Sequence, residues 1–367
     1  MREAGDNMAI HGGDIYGNSV TDDFSVNGNP MGIPPSVVAA LHRAASRCEC
    51  YPDIEARALK RAVSGMLAVP KEYLLFGNGA SELFMAVVHG LKPRKTVIPV
   101  PSFYGYEHAA KAEESEIHYY ELKRENGFCV TEKLSEALTE DVELLFLANP
   151  NNPTGRLIEK KTLTALLHHC EEKGIYVVLD ECFVEFCGEC HSMISETENF
   201  AHLIVVRAFT KIFSIPGVRL GYLVCKNKSL VEKIAAHLPE WNLSCFAQEA
   251  GCACTKETAF IMETEKYVRQ ERAFLERELE RKGFLVFPSS TDFILVYREE
   301  PSHENTLYSR LLERGILIRD CENFRGLGRG FYRIAVKSRE ENRKLLRALG
   351  EGENVHEGHR ICVAGRD

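Results

Sequence analysis

The sequence predicts an α/β protein: a large, doubly wound, mainly parallel sheet followed by a smaller α+β C-terminal domain. Three observations carry this. Up to about residue 246, short apolar runs alternate with helix-length segments. Those runs are nearly continuous in Val, Ile and Leu, as strands buried on both faces of a parallel sheet require. Beyond that point the texture changes to a long amphipathic helix and short strands. At 367 residues the chain also exceeds what one hydrophobic core usually organises, so two packed domains are expected.

Residues 1–35, rich in Gly, Asn, Asp and Pro without a sustained period, read as an N-terminal arm. Helical spacing runs from 36 to 66, with Val37, Val38, Leu41 and Ala45 on one face. The large domain, 36–246, holds expected strands at 73–76, 96–100, 144–148, 175–179, 203–206 and 220–225. Segments such as 163–173 are long enough to be crossover helices. The small domain, 247–350, is expected to contain a helix at 264–282, strands at 285–287 and 293–297, and a helical stretch at 307–314. Strands at 315–318 and 332–336 and a last helix through 349 complete it. The tail 351–367 is polar and reads as mobile.

Composition excludes several classes. Hydrophobic residues at 45% and charged residues at 27% are ordinary for a globular protein and rule out a largely disordered chain. Acidic residues outnumber basic ones 53 to 45, which argues against a nucleic-acid partner. No stretch approaches the roughly 20 apolar residues that span a bilayer, so no membrane partner is expected. Met1 to Asp6 carry acids early and form no apolar signal core, which leads to a cytoplasmic expectation and free thiols for the thirteen cysteines. Cys187-Gly188-Glu189-Cys190-His191 has the C-x-x-C-H spacing of haem attachment, and with Cys182 nearby the donors would also suit zinc. Chance spacing in a cysteine-rich chain is the stronger reading, and no metal is expected.

The chemistry is sought at the carboxyl ends of the strands, where open α/β sheets bind ligands. After the first strand comes Gly77-Asn78-Gly79-Ala80-Ser81-Glu82, a glycine turn opening a helix whose N–H groups can cradle an anion. After 144–148 comes Asn149-Pro150-Asn151-Asn152-Pro153-Thr154-Gly155, which local physics alone would make a turn. After 175–179 comes Asp180, which could equally be a helix N-cap. After 203–206 comes Arg207-Ala208-Phe209-Thr210-Lys211, then Pro216-Gly217-Val218-Arg219-Leu220-Gly221-Tyr222. Burial of Lys211 among apolar and hydroxyl neighbours would make it a nucleophilic amine. A cradle, an Asn, an Asp and such a lysine at successive strand ends suit pyridoxal 5'-phosphate.

With these motifs, from near Phe24 to about Leu349, the chain resembles the fold-type I pyridoxal-phosphate enzymes of the aminotransferase superfamily. Within it the nearest likeness is to the threonine-phosphate decarboxylases of cobamide biosynthesis, with the histidinol-phosphate aminotransferases as cousins. The decarboxylase likeness rests on His11-Gly12-Gly13-Asp14, the stretch Asp23 to Gly32, Tyr51-Pro52-Asp53 and the run Ile316 to Phe324. The resemblance implies that Lys211 forms the Schiff base, Asp180 pairs with the ring nitrogen, Asn152 bonds the ring hydroxyl oxygen and Phe103 stacks on the ring. It places the phosphate on Ala80, Ser81, Thr210 and Arg219, with Tyr51 reaching it from a neighbouring subunit, hence a homodimer with shared sites. It gives Arg333 to the substrate carboxylate and Arg319 to the phosphate of a small phosphorylated amino acid.

The chain departs from the aminotransferase pattern at two positions. Ala208 stands where many relatives have a phosphate-binding serine, and Phe183 where aminotransferases have a tyrosine that donates to the ring hydroxyl oxygen. The second change favours decarboxylation. The bond that breaks is the one perpendicular to the conjugated ring, and each 1.36 kcal/mol of rotamer preference is about tenfold in rate. His11, Asn27 and Asn29 of the arm are therefore candidate substrate-orienting residues. The expected reaction is decarboxylation of L-threonine O-3-phosphate to (R)-1-aminopropan-2-yl phosphate. A histidinol-phosphate:2-oxoglutarate aminotransferase and an L-serine O-phosphate decarboxylase remain the alternatives; a non-catalytic regulator on this fold and an electron-transfer protein fit less well.

Overall fold

The computed structural model describes residues 12–302 and 305–350, so His11 and the tail 351–367 lie outside the described residues. In chain order the first elements are β1 (Asp22–Asp23), α1 (Pro35–Ala45), α2 (Arg57–Leu67), β2 (Leu74–Gly77), α3 (Ala80–Leu91), β3 (Lys95–Val100), α4 (Tyr104–Ala112) and β4 (Glu116–Glu121). Next come β5 (Leu144–Ala148), α5 (Lys160–Lys173), β6 (Tyr176–Asp180), β7 (Leu203–Ala208), α6 (Phe209–Ile212), β8 (Gly221–Val224), α7 (Lys228–Ala235) and α8 (Cys245–Cys254). The remainder are α9 (Thr258–Arg281), β9 (Leu285–Val286), β10 (Phe293–Tyr297), α10 (Leu307–Leu312), β11 (Ile316–Leu317), β12 (Arg319–Asp320), β13 (Phe331–Ala335) and α11 (Arg339–Ala348).

Seven strands form one sheet in the order β2-β8-β7-β6-β5-β3-β4. All neighbours are parallel except β8, which is antiparallel to both β2 and β7. The continuous apolar runs explain the architecture. Leu145, Leu147, Val177, Leu179 and Val205 enter one core with side chains from α2, α5 and α8. The alternate residues Leu144, Phe146, Val178, Ile204 and Val206 enter a second core with α3, α4 and α7. Covering both faces leaves the strand ends as the place where backbone and polar groups can meet a ligand.

A second, antiparallel sheet has the order β12-β13-β10-β9. Its core takes Leu275 and Leu279 from α9, Leu311 from α10 and Leu345 from α11. Phe24 joins that core, and its amide donates to Leu317 O at 2.7 Å while its carbonyl accepts from Ala335 N at 2.9 Å. The arm is thereby tied to the second sheet just ahead of residues 25–29.

Three expectations are corrected and one unexpected strand is added. The helical stretch 36–66 is two helices, α1 and α2, because the 46–56 connection carries Pro52 and a left-handed Ala56 at φ 45°. The strand β4 was invisible to an apolar-run search because it is a half-exposed edge, Glu-Ile-His-Tyr-Tyr-Glu. The helix expected at 264–282 begins six residues earlier, at Thr258, with Phe260 and Ile261 packing on the main core. The strand expected at 315–318 is only β11, which pairs with β1, and a further short strand after it, β12, pairs with β13 so that Arg319 stands directly opposite Arg333.

Beneath the rim, on β7, Arg207 is 1% exposed and anchors a buried ion cluster. Its Nε lies 3.1 Å from Glu181, its Nη1 3.6 Å from Glu185 and its Nη2 2.9 Å from Glu189. One guanidinium facing three carboxylates leaves excess negative charge. Burial pushes Glu185 up to about 8, with repulsion from Glu189 adding to it and Arg207 opposing it. A carboxyl whose folded value exceeds the ordinary 4.5 stabilises the fold fully below that pH, and loses the contribution as pH rises toward 8. Glu185→Gln should therefore flatten the fall in urea-unfolding midpoint between about pH 4.5 and pH 8; equal slopes in wild type and variant would contradict the assignment.

Candidate active site

A cavity of about 630 Å³ opens at the carboxyl rim of the seven-stranded sheet and is closed on its far side by β12 and β13. That volume suits a small-molecule site. Its lining brings together Ala80, Ser81, Phe103, Asn152, Asp180, Thr210, Lys211 and Arg219, together with Asn27, Arg319 and Arg333. Each strand end delivers one component: Asp180 ends β6, Lys211 sits in the turn α6 after β7, and Asn152 follows β5.

The anion corner is built by glycines. Gly79, at φ 80°, is the N-cap of α3 and provides no side-chain cap, so the first-turn N–H groups open toward the cavity. A Cβ on Gly79 would lie 2.7 Å from Arg219 Nη2, and one on Gly221 would lie 2.8 Å from Gly79 C. Only glycines let these segments converge. Arg219 itself is left-handed at φ 58°, and its guanidinium donates to Pro216 O at 3.2 Å and Asn78 O at 3.1 Å. The departure at Ala208 is a small side chain in the cavity wall.

At the floor, Asp180 Oδ2 accepts from Tyr106 Oη at 2.5 Å and Oδ1 accepts from Cys182 N at 2.9 Å. Burial pushes its carboxyl up while those hydrogen bonds pull it down, so a cation beside it would be strongly favoured. Tyr106 stacks on Phe146 at 5.0 Å between ring centroids, which fixes the hydroxyl. Burial, then the nearby Arg333, push the Lys211 amine below the ordinary lysine value. Its Nζ lies 5.7 Å from the centroid of Phe183, a ring held edge-on to Phe293 at 5.1 Å.

Opposite the floor stand two buried arginines on adjacent strands, Arg319 and Arg333, 5% and 6% exposed. Like charges directly across a sheet repel. Burial and the facing Arg319 bring the Arg333 guanidinium down to about 10. Its Nη1 donates to Asn152 Oδ1 and its Nη2 donates to Ser25 O at 2.7 Å, while its Nε has no partner among the described residues. Arg319 donates to Asn323 Oδ1 at 2.7 Å and lies 4.9 Å over the Phe324 ring. A binding face for two anionic groups results.

The other expected residues are placed unevenly. Asn27 lines the cavity and its Oδ1 is buried without a partner among the described residues. Asn29 does not line it: its amide donates to Ile212 O at 2.6 Å and Thr264 Oγ1 at 2.8 Å, so it straps the arm to α6 and α9 and is corrected from a substrate contact. Tyr51 is 82% exposed beside Trp241, away from this cavity. His11 lies outside the described residues, although Gly12 reaches the cavity. Among the described residues no group of three or more His, Cys, Asp or Glu could hold a metal. Cys187 instead donates to Ser290 O at 3.1 Å, while Cys190 is exposed. Sequence reasoning missed Tyr106 and Ser25, and also Arg325 and Glu107, which line the cavity 3.6 Å apart as an ion pair, because no spacing rule connects them to the strand ends.

Orphaned Asn27 Oδ1 and Arg333 Nε, the glycine-built corner and the buried Asp180 show that the cavity fits pyridoxal 5'-phosphate. Ala80 and Ser81 amides, Thr210 and Arg219 can take its phosphate, Asp180 its ring nitrogen and Lys211 its aldehyde carbon.

The family described as aminotransferase class I and II matches residues 22–349, and the chain belongs to it. It is 36% identical over 328 residues to the threonine-phosphate decarboxylase of Salmonella typhimurium, covering 89% of this chain and 90% of that protein. The fold superposes on a histidinol-phosphate aminotransferase from Clostridium acetobutylicum with a TM-score of 0.84 and 36% identity, covering 90% and 98% of the two chains. It superposes on an L-threonine-O-3-phosphate decarboxylase from Porphyromonas gingivalis with a TM-score of 0.80 and 27% identity, over the same shares.

The glycine corner makes a direct prediction. Gly79→Ala should displace Arg219 and lower pyridoxal-phosphate affinity by roughly tenfold or more, beyond the roughly 1–3 kcal/mol that strain at φ 80° and ψ 174° costs the apoprotein. Titration of apoprotein with cofactor checks this, and unchanged affinity would contradict the proposed phosphate site.

Proposed function

We propose that this member of the class I and II aminotransferase family is a pyridoxal-phosphate-dependent carboxy-lyase. Its substrate in this reading is L-threonine O-3-phosphate, and its products are (R)-1-aminopropan-2-yl phosphate and carbon dioxide. The observation that carries the reading is the cross-strand pair of buried arginines, Arg319 and Arg333, facing the lysine across one cavity. Such a pair suits a substrate with an anion at each end, a carboxylate and a phosphate. The likeness to decarboxylases of this substrate supports the same choice.

When bound, the cofactor supplies an electron sink for the pair left as a bond to the substrate's α-carbon breaks. The residues of the chain do the rest. Asp180, aligned by Tyr106, offers a fixed negative charge at the cavity floor. Asn152 is committed through Oδ1 to Arg333, which leaves its amide N–H groups as the donors toward the cofactor. Arg333 takes the carboxylate and Arg319 the phosphate, so two planar forks set the rotation about the α-carbon. Phe183 puts an apolar ring beside Lys211 where a hydroxyl would otherwise compete. The carbon–carboxylate bond breaks, carbon dioxide departs without the electron pair, and a proton held at Lys211 Nζ replaces it.

Tyr51, exposed and away from its own chain's cavity, is proposed to complete the phosphate corner of a second copy, making the enzyme a homodimer with shared sites. The twelve described cysteines are free, which suits the reducing cytoplasm proposed for it. A second reading, histidinol-phosphate aminotransferase, is favoured by the likeness to the Clostridium acetobutylicum structure. L-serine O-phosphate differs by one methyl, worth only about 1–3 kcal/mol in an apolar pocket.

Product analysis separates these readings. Threonine phosphate should give stoichiometric carbon dioxide, and histidinol phosphate with 2-oxoglutarate should give no glutamate; the reverse outcome would establish the aminotransferase. Arg319→Gln should raise KM for threonine phosphate by roughly a hundredfold, as loss of a buried charge partner requires.

A further inference from the structure

We propose that Asp292 is a positioning residue for Lys211: its buried carboxylate supplies the negative charge that keeps a proton on the Lys211 amine. The inference rests on the function proposed above and adds a residue that none of the sequence motifs contains. Asp292 lies immediately before β10 and is 0% exposed. Its backbone is fixed, since Val336 N donates to its carbonyl at 2.7 Å. Thr291 Oγ1 donates to Oδ1 at 3.0 Å, while Oδ2 has no hydrogen-bond partner among the described residues. The next residue, Phe293, packs on Phe183 beside Lys211 and lies under the Arg333 guanidinium at 5.4 Å.

Every neighbouring element contributes a group that acts on this carboxylate. Lys211 comes from α6 and Arg333 from β13. Arg272 of α9 donates to Thr291 O at 2.9 Å, and Cys187, held on Ser290 O, completes the surround. An ionised carboxylate sealed from water without its full hydrogen bonds is expensive unless cations balance it. An asparagine would keep the hydrogen bond at that position without the desolvation cost of a charge. Arg333 is not the direct partner, because its Nε and Asp292 Oδ2 are each left without a hydrogen bond. What remains is a field shared by Arg272, Arg333 and Lys211, and of these only Lys211 is a group whose proton the reaction uses. Electrostatics agree: Arg333 lowers and Asp292 raises the proton affinity of Lys211, and burial lifts Asp292 to about 6, with Lys211 pulling it down.

The test is the pH dependence of the visible absorbance of the holoenzyme. Asp292→Asn should lower its midpoint by roughly one pH unit or more, and Asp292→Glu should recover most of the shift. Thr291→Val, which removes the hydrogen bond that favours the ionised carboxylate, should move the midpoint in the same direction by less, and it serves if Asp292→Asn does not fold. With Asp292→Asn, kcat should fall while KM for threonine phosphate stays near the wild-type value. An unmoved midpoint in Asp292→Asn, or a raised KM with unchanged kcat, would overturn the proposal. A wild-type holoprotein that shows no titrating visible band would instead overturn the functional reading beneath it.

Discussion

Positive charge gathered in one partly dehydrated cavity is the constraint on which the rest of the structure depends. Lys211, Arg219, Arg319 and Arg333 come from four separate segments and converge on a space of about 630 Å³. Of these, Arg319 and Arg333 are buried and Arg219 is exposed, and buried cations of one sign are tolerated only where counter-charges stand close or anionic ligands arrive. The cavity lining carries Glu107 and Glu322 as well as Asp180, which is hydrogen-bonded to Tyr106 at the floor, and Asp292 adds a fully buried carboxylate outside that lining. In the proposed function the balance is met by ligands carrying phosphate and carboxylate groups. A phosphorylated cofactor and a phosphorylated amino acid satisfy the same electrostatic demand at two ends of one cavity.

The fold serves this demand by mechanical means. Apolar strands buried on both faces leave little freedom in where β5, β6 and β7 end, so Asn152, Asp180 and Lys211 are delivered by a rigid sheet. The second sheet contributes rigidity of the same kind, since the β12–β13 register sets Arg319 opposite Arg333. The arm joins the two: Phe24 is pinned to β11 and β13, and Ser25 O then holds Arg333. Asn29 belongs to this fastening, with its amide bonded to Ile212 O and Thr264 Oγ1.

What the sequence made legible follows from what is local. Continuous Val, Ile and Leu runs marked β3, β5, β6, β7 and β8, and the polar residues directly after the runs named the cofactor side of the cavity. Edge strand β4 was hidden because an edge has no need of continuous apolar residues. Other features depend on distant partners and leave no spacing signal. Tyr106 meets Asp180 across 74 positions of sequence, and Arg207 gathers Glu181, Glu185 and Glu189 only after β6 and β7 align. The break at Ile318 that divides 316–320 between two sheets is likewise set by pairing with β1 and β13 and not by its own composition.

All of this chemistry requires one covalent attachment, between the amine at position 211 and the aldehyde of the vitamin-derived cofactor. Borohydride reduction of the purified holoprotein, followed by peptide mapping, measures it directly. The account predicts a single reduced pyridoxyl-phosphate adduct on the peptide that contains Lys211. An adduct on another side chain, or none on a protein shown to carry the cofactor, would contradict it.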